Sequence, residues 1–384
     1  MTTYLSRSSM GSIPPSYSYN PQDVELSRFD SPSPSSSTTF SDPPSYSEAA
    51  SSFHPTTHLQ IETAGKSWCS LPLPLSPEPI PVFALHPEDS SSSVASQSTP
   101  KYTSIRPERS SGSCYLVASD ITQTPSDNDL LPVLATTTYR FGPNRPPRVR
   151  LYSPHSPGLS TSVLEAILFP TKSKHHTPGD VDDSPTPEEA DQVQPWDEFH
   201  INSLGLFTRA VTFRTRLGTF EWRYASRRER HALSRALGGQ DIISSLLVLE
   251  RVTRVARAQN LPTSSSSRRT SLFHQNNKKD YDETIRTTIA HFIRGASTRT
   301  PGTSVRDAGN GGRLVMDLRL WEDNSMPPQA GEDGNAEGGV SKLDREMAGV
   351  LVVATCLVML KREVDRRRAQ QAAILAGAVG GGGS

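Results

Sequence analysis

Residues Met347–Leu360, MAGVLVVATCLVML, decide the fold of this 384-residue chain. The run lies between Glu346 and Lys361, and its 14 residues make about 21 Å of helix, whereas a bilayer core needs roughly 20 residues. It has no polar stripe beyond Thr355, and a helix that is apolar all round must be enclosed on every side. We therefore predict a helix buried inside the protein, with a C-terminal membrane anchor as the alternative.

Segments with period-two alternation precede this run and are typical of strands with one buried face. Phe220, Trp222 and Tyr224 share one face of such a segment, and RLVMDLRLW, residues Arg313–Trp321, is a second example. Further candidate strands are Ala135–Phe141, Arg148–Tyr152, Val163–Phe169, Phe207–Phe213, Ser245–Val252 and Thr287–Arg294. One-sided strands favour an antiparallel sheet or barrel. The predicted fold class is mainly β: an antiparallel β-barrel threaded by the apolar C-terminal helix.

Composition sets the predicted domain boundaries. The first 100 residues contain 26 Ser and 15 Pro, and such a segment cannot bury enough apolar surface to fold. We predict a disordered Ser/Pro-rich tail over residues 1–130, a barrel domain over 131–378 and a flexible Gly-rich tail over 379–384. Within the tail, Ser113–Ala118 is at most an additional edge strand. Polar stretches predicted as disordered insertions in the barrel are residues 171–194, 258–283, 297–312 and 324–340.

The charge balance is uneven along the chain, although its formal net charge is zero. Residues 201–300 carry 18 Lys and Arg against 7 Asp and Glu, which suits contact with an anionic membrane or nucleic acid. The two basic clusters are Arg227, Arg228 and Arg230, after a capping box at Ser226 and Glu229, and Arg366, Arg367 and Arg368. They are candidate anionic-lipid sites, and a solvated helix face is the alternative. No recognised nucleic-acid module surrounds them, so a nucleic-acid partner is not predicted.

No catalytic signature is present in the sequence. It lacks a Walker loop, a GxSxG elbow, a GxGxxG after a strand and an HExxH motif, so we predict that the protein is not an enzyme and needs no cofactor. Cys69, Cys114 and Cys356 are far apart and form no CxxC pair, which favours neither a metal site nor a disulfide framework. The N-terminus has no apolar signal sequence, so a cytoplasmic location is predicted.

The motif PPSY occurs twice, at Pro14, Pro15, Ser16 and Tyr17 and at Pro43, Pro44, Ser45 and Tyr46. PPxY is a ligand of WW domains, because its prolines form a polyproline II turn that fits between aromatic rings and its Tyr fills a second pocket. Chance is the alternative in so Ser/Pro-rich a segment. The leading prediction is a non-enzymatic adaptor that recruits WW-domain proteins such as HECT-type ubiquitin ligases.

A second short signal is RRTSL, which places Ser271 three residues after Arg268. Two arginines before a Ser suit a basophilic kinase, whose acidic pocket pairs with the guanidinium groups. Ser271 is therefore a phosphorylation candidate, with an ordinary basic loop as the alternative.

Five blocks of this sequence resemble a fungal group within the tubby C-terminal-like superfamily, which includes LURP-one-related proteins and phospholipid scramblases. The blocks are residues 137–154 (TTYRFGPNRPPRVRLYSP), 217–230 (LGTFEWRYASRRER), 246–252 (LLVLERV), 308–318 (AGNGGRLVMDL) and 346–384. The resemblance implies a barrel threaded by a C-terminal helix. It also implies binding of phosphoinositides or other anionic lipids, which is the alternative function. The acidic Ca²⁺ cluster and Cys-rich stretch of a scramblase are not recognisable in the sequence.

Overall fold

Strands from distant parts of the chain form one sheet. The computed structural model describes residues 53–73, 78–85, 99–108, 111–119, 130–139, 145–169, 194–205, 208–239, 241–255, 283–322 and 337–380. The strands are β1 (Thr57–Ile61), β2 (Ile80–Leu85), β3 (Tyr102–Ile105), β4 (Cys114–Ala118), β5 (Val133–Thr138), β6 (Arg148–Leu151), β7 (Asp197–His200), β8 (Asn202–Ser203), β9 (Val211–Thr215), β10 (Gly218–Tyr224), β11 (Ser245–Val255), β12 (Glu283–Arg294) and β13 (Gly312–Met316). Their order is β7-β6-β5-β4-β3-β2-β1-β13-β12-β11-β10-β9-β8, and the neighbouring pairs are antiparallel.

The two edges of this sheet meet at a seam. β7 and β8 are separated by Ile201 alone, so the chain itself leads from one edge strand to the other. The backbone N–H of Arg216, in the β9–β10 turn, donates to the Asp197 carboxylate at 2.8 Å. Phe199 of β7 stacks on Phe213 of β9 with 5.2 Å between ring centroids. The sheet is therefore a nearly closed antiparallel barrel, which confirms the predicted fold class.

The C-terminal helix α3 (Glu337–Gly380) fills the barrel. Every residue of Met347–Leu360 is buried, and this stretch belongs to the same apolar cluster as the inward side chains of the strands. The Thr355 hydroxyl donates to the Leu351 carbonyl at 2.8 Å and accepts from the Trp222 indole at 3.0 Å. The prediction of an enclosed helix is confirmed. In the part of the chain that the structure describes, no helix is long and apolar enough to cross a membrane.

The shorter helices pack on the outside of the sheet. α1 (Thr161–Leu168) is capped by Ser160 and buries its apolar face against β5 and the chain after β6. α2 (Arg227–Ala236) begins with the predicted capping box: the Ser226 hydroxyl accepts the Glu229 N–H, and the Glu229 carboxylate accepts the Ser226 N–H. A short 3₁₀ helix, Arg319–Trp321, follows β13.

The predicted domain boundary at residue 131 is wrong. Four strands precede it, and β1 pairs with β13 while burying Leu59 and Ile61 completely. These strands have only four to six residues each, so the Ser/Pro-rich average of the region concealed them. The stretch Ser113–Ala118 supplies β4, which lies between β3 and β5 and is not an edge strand.

Three local predictions also need correction. Val163–Phe169 is not a strand but most of α1, because Leu164, Ile167 and Leu168 have the spacing of one helix face. The strand expected over Phe207–Phe213 begins only at Val211. The insertion expected over residues 297–312 is a packed loop in which Asn310 is buried. Outside the described residues lie residues 1–52 of the tail predicted over 1–130, most residues of the insertions 171–194, 258–283 and 324–340, and most residues of the tail 379–384.

Candidate anion-binding site

Three strand ends, one loop and α3 meet at one end of the barrel. β10 ends at Tyr224, β11 begins at Ser245 and β12 ends at Arg294, and the register places Ser245 opposite Arg294. The loop between β12 and β13 and the part of α3 after Leu360 cover the same end. Together they surround a cavity of about 510 Å³. Small-molecule sites typically have about 300–1,000 Å³.

A buried ion pair lines this cavity. Both terminal nitrogens of the Arg294 guanidinium donate to the Glu363 carboxylate at 2.6 Å, and the two side chains are 6% and 7% exposed. Glu363 also accepts from the Tyr224 hydroxyl and from the Gly309 N–H, and Arg294 donates to Asn310. Burial raises the pKa of the Glu363 carboxyl, but Arg294 and these hydrogen bonds outweigh burial and hold that pKa below its ordinary value. The charge of Arg294 is therefore already neutralised.

Gly309 lets the loop approach α3 closely. Its φ is +69°, a conformation that favours glycine, and a Cβ at this position would lie 2.6 Å from the Leu360 carbonyl oxygen. The close approach brings the Gly309 N–H within 2.9 Å of Glu363. The glycine thus fixes the wall of the cavity that the loop supplies.

Five more arginines line the cavity: Arg209, Arg230, Arg306, Arg366 and Arg367. Among the described residues, none of the five has an acidic partner within 4.0 Å. The two acidic residues in the lining are Glu363, which is paired with Arg294, and Asp307. Charges of one sign in a concave site with low-dielectric walls reinforce one another's field. The cavity therefore has the electrostatics of an anion site.

Contacts hold several of these arginines in place. Arg230 donates to the Ser244 carbonyl at 2.8 Å, Arg367 donates to the Arg306 carbonyl at 2.9 Å, and Arg209 lies over the Tyr224 ring at 5.6 Å. The Nε atom of Arg230 and one terminal nitrogen of Arg367 are buried without a hydrogen-bond partner in the described part of the chain. Guanidinium groups that are fixed by carbonyls and rings keep their positive charge unneutralised, so an anion can still pair with them.

The structure unites half of the arginines that the sequence singled out. Those in the cavity lining are Arg230, Arg366 and Arg367. Arg227 and Arg228 are exposed on α2 and do not line the cavity. Arg368 donates to the Pro72 carbonyl at 3.5 Å and lies outside the lining as well. The two basic clusters, separated by about 135 residues in the sequence, therefore contribute to one site.

The other predicted site residues lie outside the described part of the chain. They are the PPSY residues Pro14, Pro15, Tyr17, Pro43, Pro44 and Tyr46, and the phosphorylation candidate Ser271. Their roles stay predictions from the sequence.

Sequence reasoning missed Arg209, Arg294 and Arg306. Two signals could have indicated Arg294 and its partner: an arginine ends the largely apolar segment IAHFIR, and Glu363 is the first acidic residue after the apolar run of α3. A buried charge needs a buried counter-charge, so the two could have been paired. Arg209 and Arg306 lie in irregular segments with no comparable signal.

Comparison of the chain with protein-family models, curated proteins and solved structures gives no match. The resemblance to the tubby C-terminal-like superfamily therefore stays a prediction from the sequence blocks. Function has to be argued from the site itself, since a fold alone does not specify one. What the site provides is a cavity at the end of the barrel in which five arginines lack an acidic partner among the described residues.

Proposed function

We propose that the protein binds anionic phosphorylated groups, namely phosphoinositide or other anionic-lipid headgroups, in the arginine-lined cavity. The observation that carries this proposal is the convergence of Arg209, Arg230, Arg306, Arg366 and Arg367 on one concave site. A guanidinium stays charged, and its fork of N–H donors matches two phosphate oxygens. The proposed activity is binding without catalysis.

Repulsion among the five arginines favours the same conclusion. Like charges that share a cavity repel one another, and a bound phosphate removes this repulsion while each charge-assisted hydrogen bond adds about 1.5–3 kcal/mol. The affinity should therefore fall as salt concentration rises, because the Debye length shrinks to about 8 Å at physiological ionic strength.

Arg230→Gln and Arg366→Gln test the proposal. Each change removes one unpaired charge from the cavity and should weaken binding about ten- to hundredfold. The measurement is co-sedimentation with phosphatidylcholine vesicles that contain phosphatidylinositol bisphosphate, together with calorimetric titration of inositol hexakisphosphate. Thermal unfolding of each variant checks that the barrel is intact.

The chain supplies a matched control on α2, the helix that carries Arg230. Arg227→Gln and Arg228→Gln remove the same charge from exposed positions of α2 that do not line the cavity. These variants should bind within about twofold of the wild type, since exposed charges are well screened. Binding that is insensitive to lipid charge and salt would contradict a specific site. So would an equal loss of affinity in the cavity variants and in the control variants.

A second proposed function rests on the two PPSY motifs at Pro14–Tyr17 and Pro43–Tyr46. The N-terminal segment would recruit a WW-domain protein such as a HECT-type ubiquitin ligase, while the barrel docks on a membrane. One PPxY motif typically binds weakly, and two copies on one chain allow bivalent capture by tandem WW domains. The protein would then act as an adaptor.

A pull-down with a tandem WW module tests the adaptor proposal. We expect Tyr46→Ala and Tyr17→Ala each to reduce retention by more than half, because bivalent binding depends on both copies. The double variant should lose retention altogether. Retention of the double variant at the wild-type level would exclude PPSY-mediated recruitment and leave lipid binding as the remaining function.

A further inference from the structure

The loop of residues 67–73, SWCSLPL, presents apolar side chains to solvent next to the cavity. Trp68, Leu71 and Leu73 are 48%, 65% and 54% exposed. Ile374 and Leu375 of α3 are exposed one turn beyond Gln371, which contacts this loop. Single exposed apolar residues are ordinary, but a group of large ones on one short loop and the adjoining helix indicates an interaction surface.

Side chains from outside the 67–73 loop bind five of its backbone carbonyls. Gln371 donates to two of its carbonyls at 3.0 and 2.8 Å, the buried Lys66 ammonium donates to two more, and Arg368 donates to a fifth. The accepting carbonyls are those of Ser67, Trp68, Leu71, Pro72 and Leu73. A loop can enter an apolar phase only if its polar backbone groups already have partners. These five carbonyls meet that condition, and the large apolar side chains of the loop are exposed.

Arg367 connects the 67–73 loop to the cavity. Its guanidinium carbon lies 4.3 Å from the centroid of the Trp68 ring, and the same side chain lines the cavity and donates to the Arg306 carbonyl. Apolar side chains and unpaired arginines therefore adjoin one another. This combination is complementary to the interface of an anionic bilayer, where phosphates lie just outside the acyl chains.

We propose, building on the proposed lipid-headgroup function, that the 67–73 loop and the end of α3 insert into the interfacial region of an anionic membrane while the cavity takes a headgroup phosphate. Trp68 would lie at the headgroup level, where tryptophan is enriched in membrane-bound proteins. Leu71 and Leu73 reach the upper acyl region. Insertion adds affinity that a soluble headgroup cannot provide.

The variant Leu71→Ser/Leu73→Ser separates insertion from headgroup binding. It leaves every arginine and the backbone hydrogen bonds of the loop in place, so the affinity for inositol hexakisphosphate should stay within about twofold of the wild type. Its affinity for phosphatidylcholine vesicles containing phosphatidylinositol bisphosphate should fall at least about tenfold, because two apolar side chains no longer leave water.

Ile285→Ser is the matched control. Ile285 is exposed to a similar extent, 48%, but lies near the start of β12, about 30 Å along the strand from Arg294 at the cavity. Removal of this side chain should leave the vesicle affinity unchanged. A loss equal to that of the loop variant would indicate a general effect of surface hydrophobicity and would overturn the assignment of the loop.

Trp68 reports the insertion directly. Of the four tryptophans in the chain, Trp222 and Trp321 are buried and Trp196 is partly covered, so lipids with brominated acyl chains should quench mainly Trp68. Trp68→Phe keeps an aromatic ring under Arg367 and should abolish this quenching. Equal quenching in the wild type and in Trp68→Phe would overturn the proposal.

The two proposals fail in different ways. If inositol hexakisphosphate and vesicles both fail to bind, the headgroup function is wrong and the insertion proposal falls with it. If inositol hexakisphosphate binds and the Leu71→Ser/Leu73→Ser variant matches the wild type on vesicles, insertion alone is wrong. The cavity would then serve a soluble phosphorylated ligand.

Discussion

The two halves of α3 differ in almost every property although they form one continuous helix. Met347–Leu360, called the first half below, is buried throughout and packs with the inward side chains of the strands, with Thr355 as its hydroxyl-bearing residue. The second half, from Lys361 onward, is charged over residues 361–368, and its buried polar side chains include Glu363 and Gln371. The first half therefore stabilises the fold, and the second half builds the site.

The difference between the two halves of α3 explains how the barrel places a charged cavity at one end. Packing fixes the axis and rotation of the first half, because every side of it touches inward strand residues. An α-helix transmits that rotation along its length, so Glu363, Arg366 and Arg367 point in directions that the core sets. The packing of the core therefore determines where the site residues of α3 lie.

Among substitutions in the first half of α3, Val353→Asp should cause the largest loss of stability. Val353 is fully buried, and a carboxylate there without a partner would cost several kcal/mol, a large part of the roughly 5–15 kcal/mol by which a domain is typically stable. We expect insoluble protein without a cooperative thermal transition in circular dichroism. Ala372→Asp, at an exposed position of the second half, should remain soluble and melt normally. A soluble, cooperatively melting Val353→Asp protein would refute the enclosed helix.

Breaking the Arg294–Glu363 pair tests the polar core of the second half. Arg294→Met leaves Glu363 buried without its counter-charge and should lower the free energy of unfolding by about 3–5 kcal/mol in urea titrations. The double variant Arg294→Met/Glu363→Met should recover part of this loss. As a control, Arg345→Met breaks an exposed pair with Glu322 and should cost about 1 kcal/mol or less. Equal losses in the free energy of unfolding for Arg294→Met and Arg345→Met would mean that the Arg294–Glu363 pair is solvated.

Thr355→Val probes the one hydroxyl of the first half at nearly constant volume. The change removes the acceptor of the Trp222 indole N–H and leaves that donor buried without a partner. We expect a loss of about 1–3 kcal/mol in the free energy of unfolding, measured by urea titration. Unchanged stability would show that the hydrogen bond contributes nothing in net terms.

Acid should act on the second half through Glu363. Its pKa is lower in the folded protein than its ordinary value of 4.5, so the unfolded chain takes up the proton first as pH falls. The stability that Glu363 contributes is complete above about pH 4.5 and is lost as pH falls below it. Urea titrations from about pH 6 to about pH 3 should show a steeper decline in the wild type than in Glu363→Gln. Groups that titrate in both proteins, such as His291, contribute equally to both free energies of unfolding, so the difference between the two proteins reports Glu363.

Strands and helices could be predicted where the apolar pattern of the sequence matches the burial of the side chains. The all-round apolar run predicts an enclosed helix, and the alternation over Phe220, Trp222 and Tyr224 predicts β10, in which Phe220 and Trp222 are fully buried. β1, β2 and β3 were not predicted because Ser and Pro dominate the residues around them, and β4 was expected only as an edge strand. The apolar periodicity over Val163–Phe169 is too short to separate a strand from the helix that Ser160 caps.

The site was predictable only in part. The sequence shows that Arg230, Arg366 and Arg367 belong to basic clusters, but a cluster on a helix is equally consistent with a solvated face. Their convergence depends on the end of β10, the start of β11 and the exit of α3 meeting in space, and long-range pairing of this kind leaves no local pattern. Three-dimensional closure of the barrel therefore creates the site.

The position of α3 after all thirteen strands has a consequence for biosynthesis. A ribosome adding about 5–20 residues per second needs about 2 to 9 seconds to proceed from Met316, the end of β13, to Leu360. During that interval the nascent strands have inward apolar side chains and nothing to pack them against. The barrel therefore cannot complete its core until α3 has been synthesised, and chaperones that shield apolar surface have this interval in which to act on the chain.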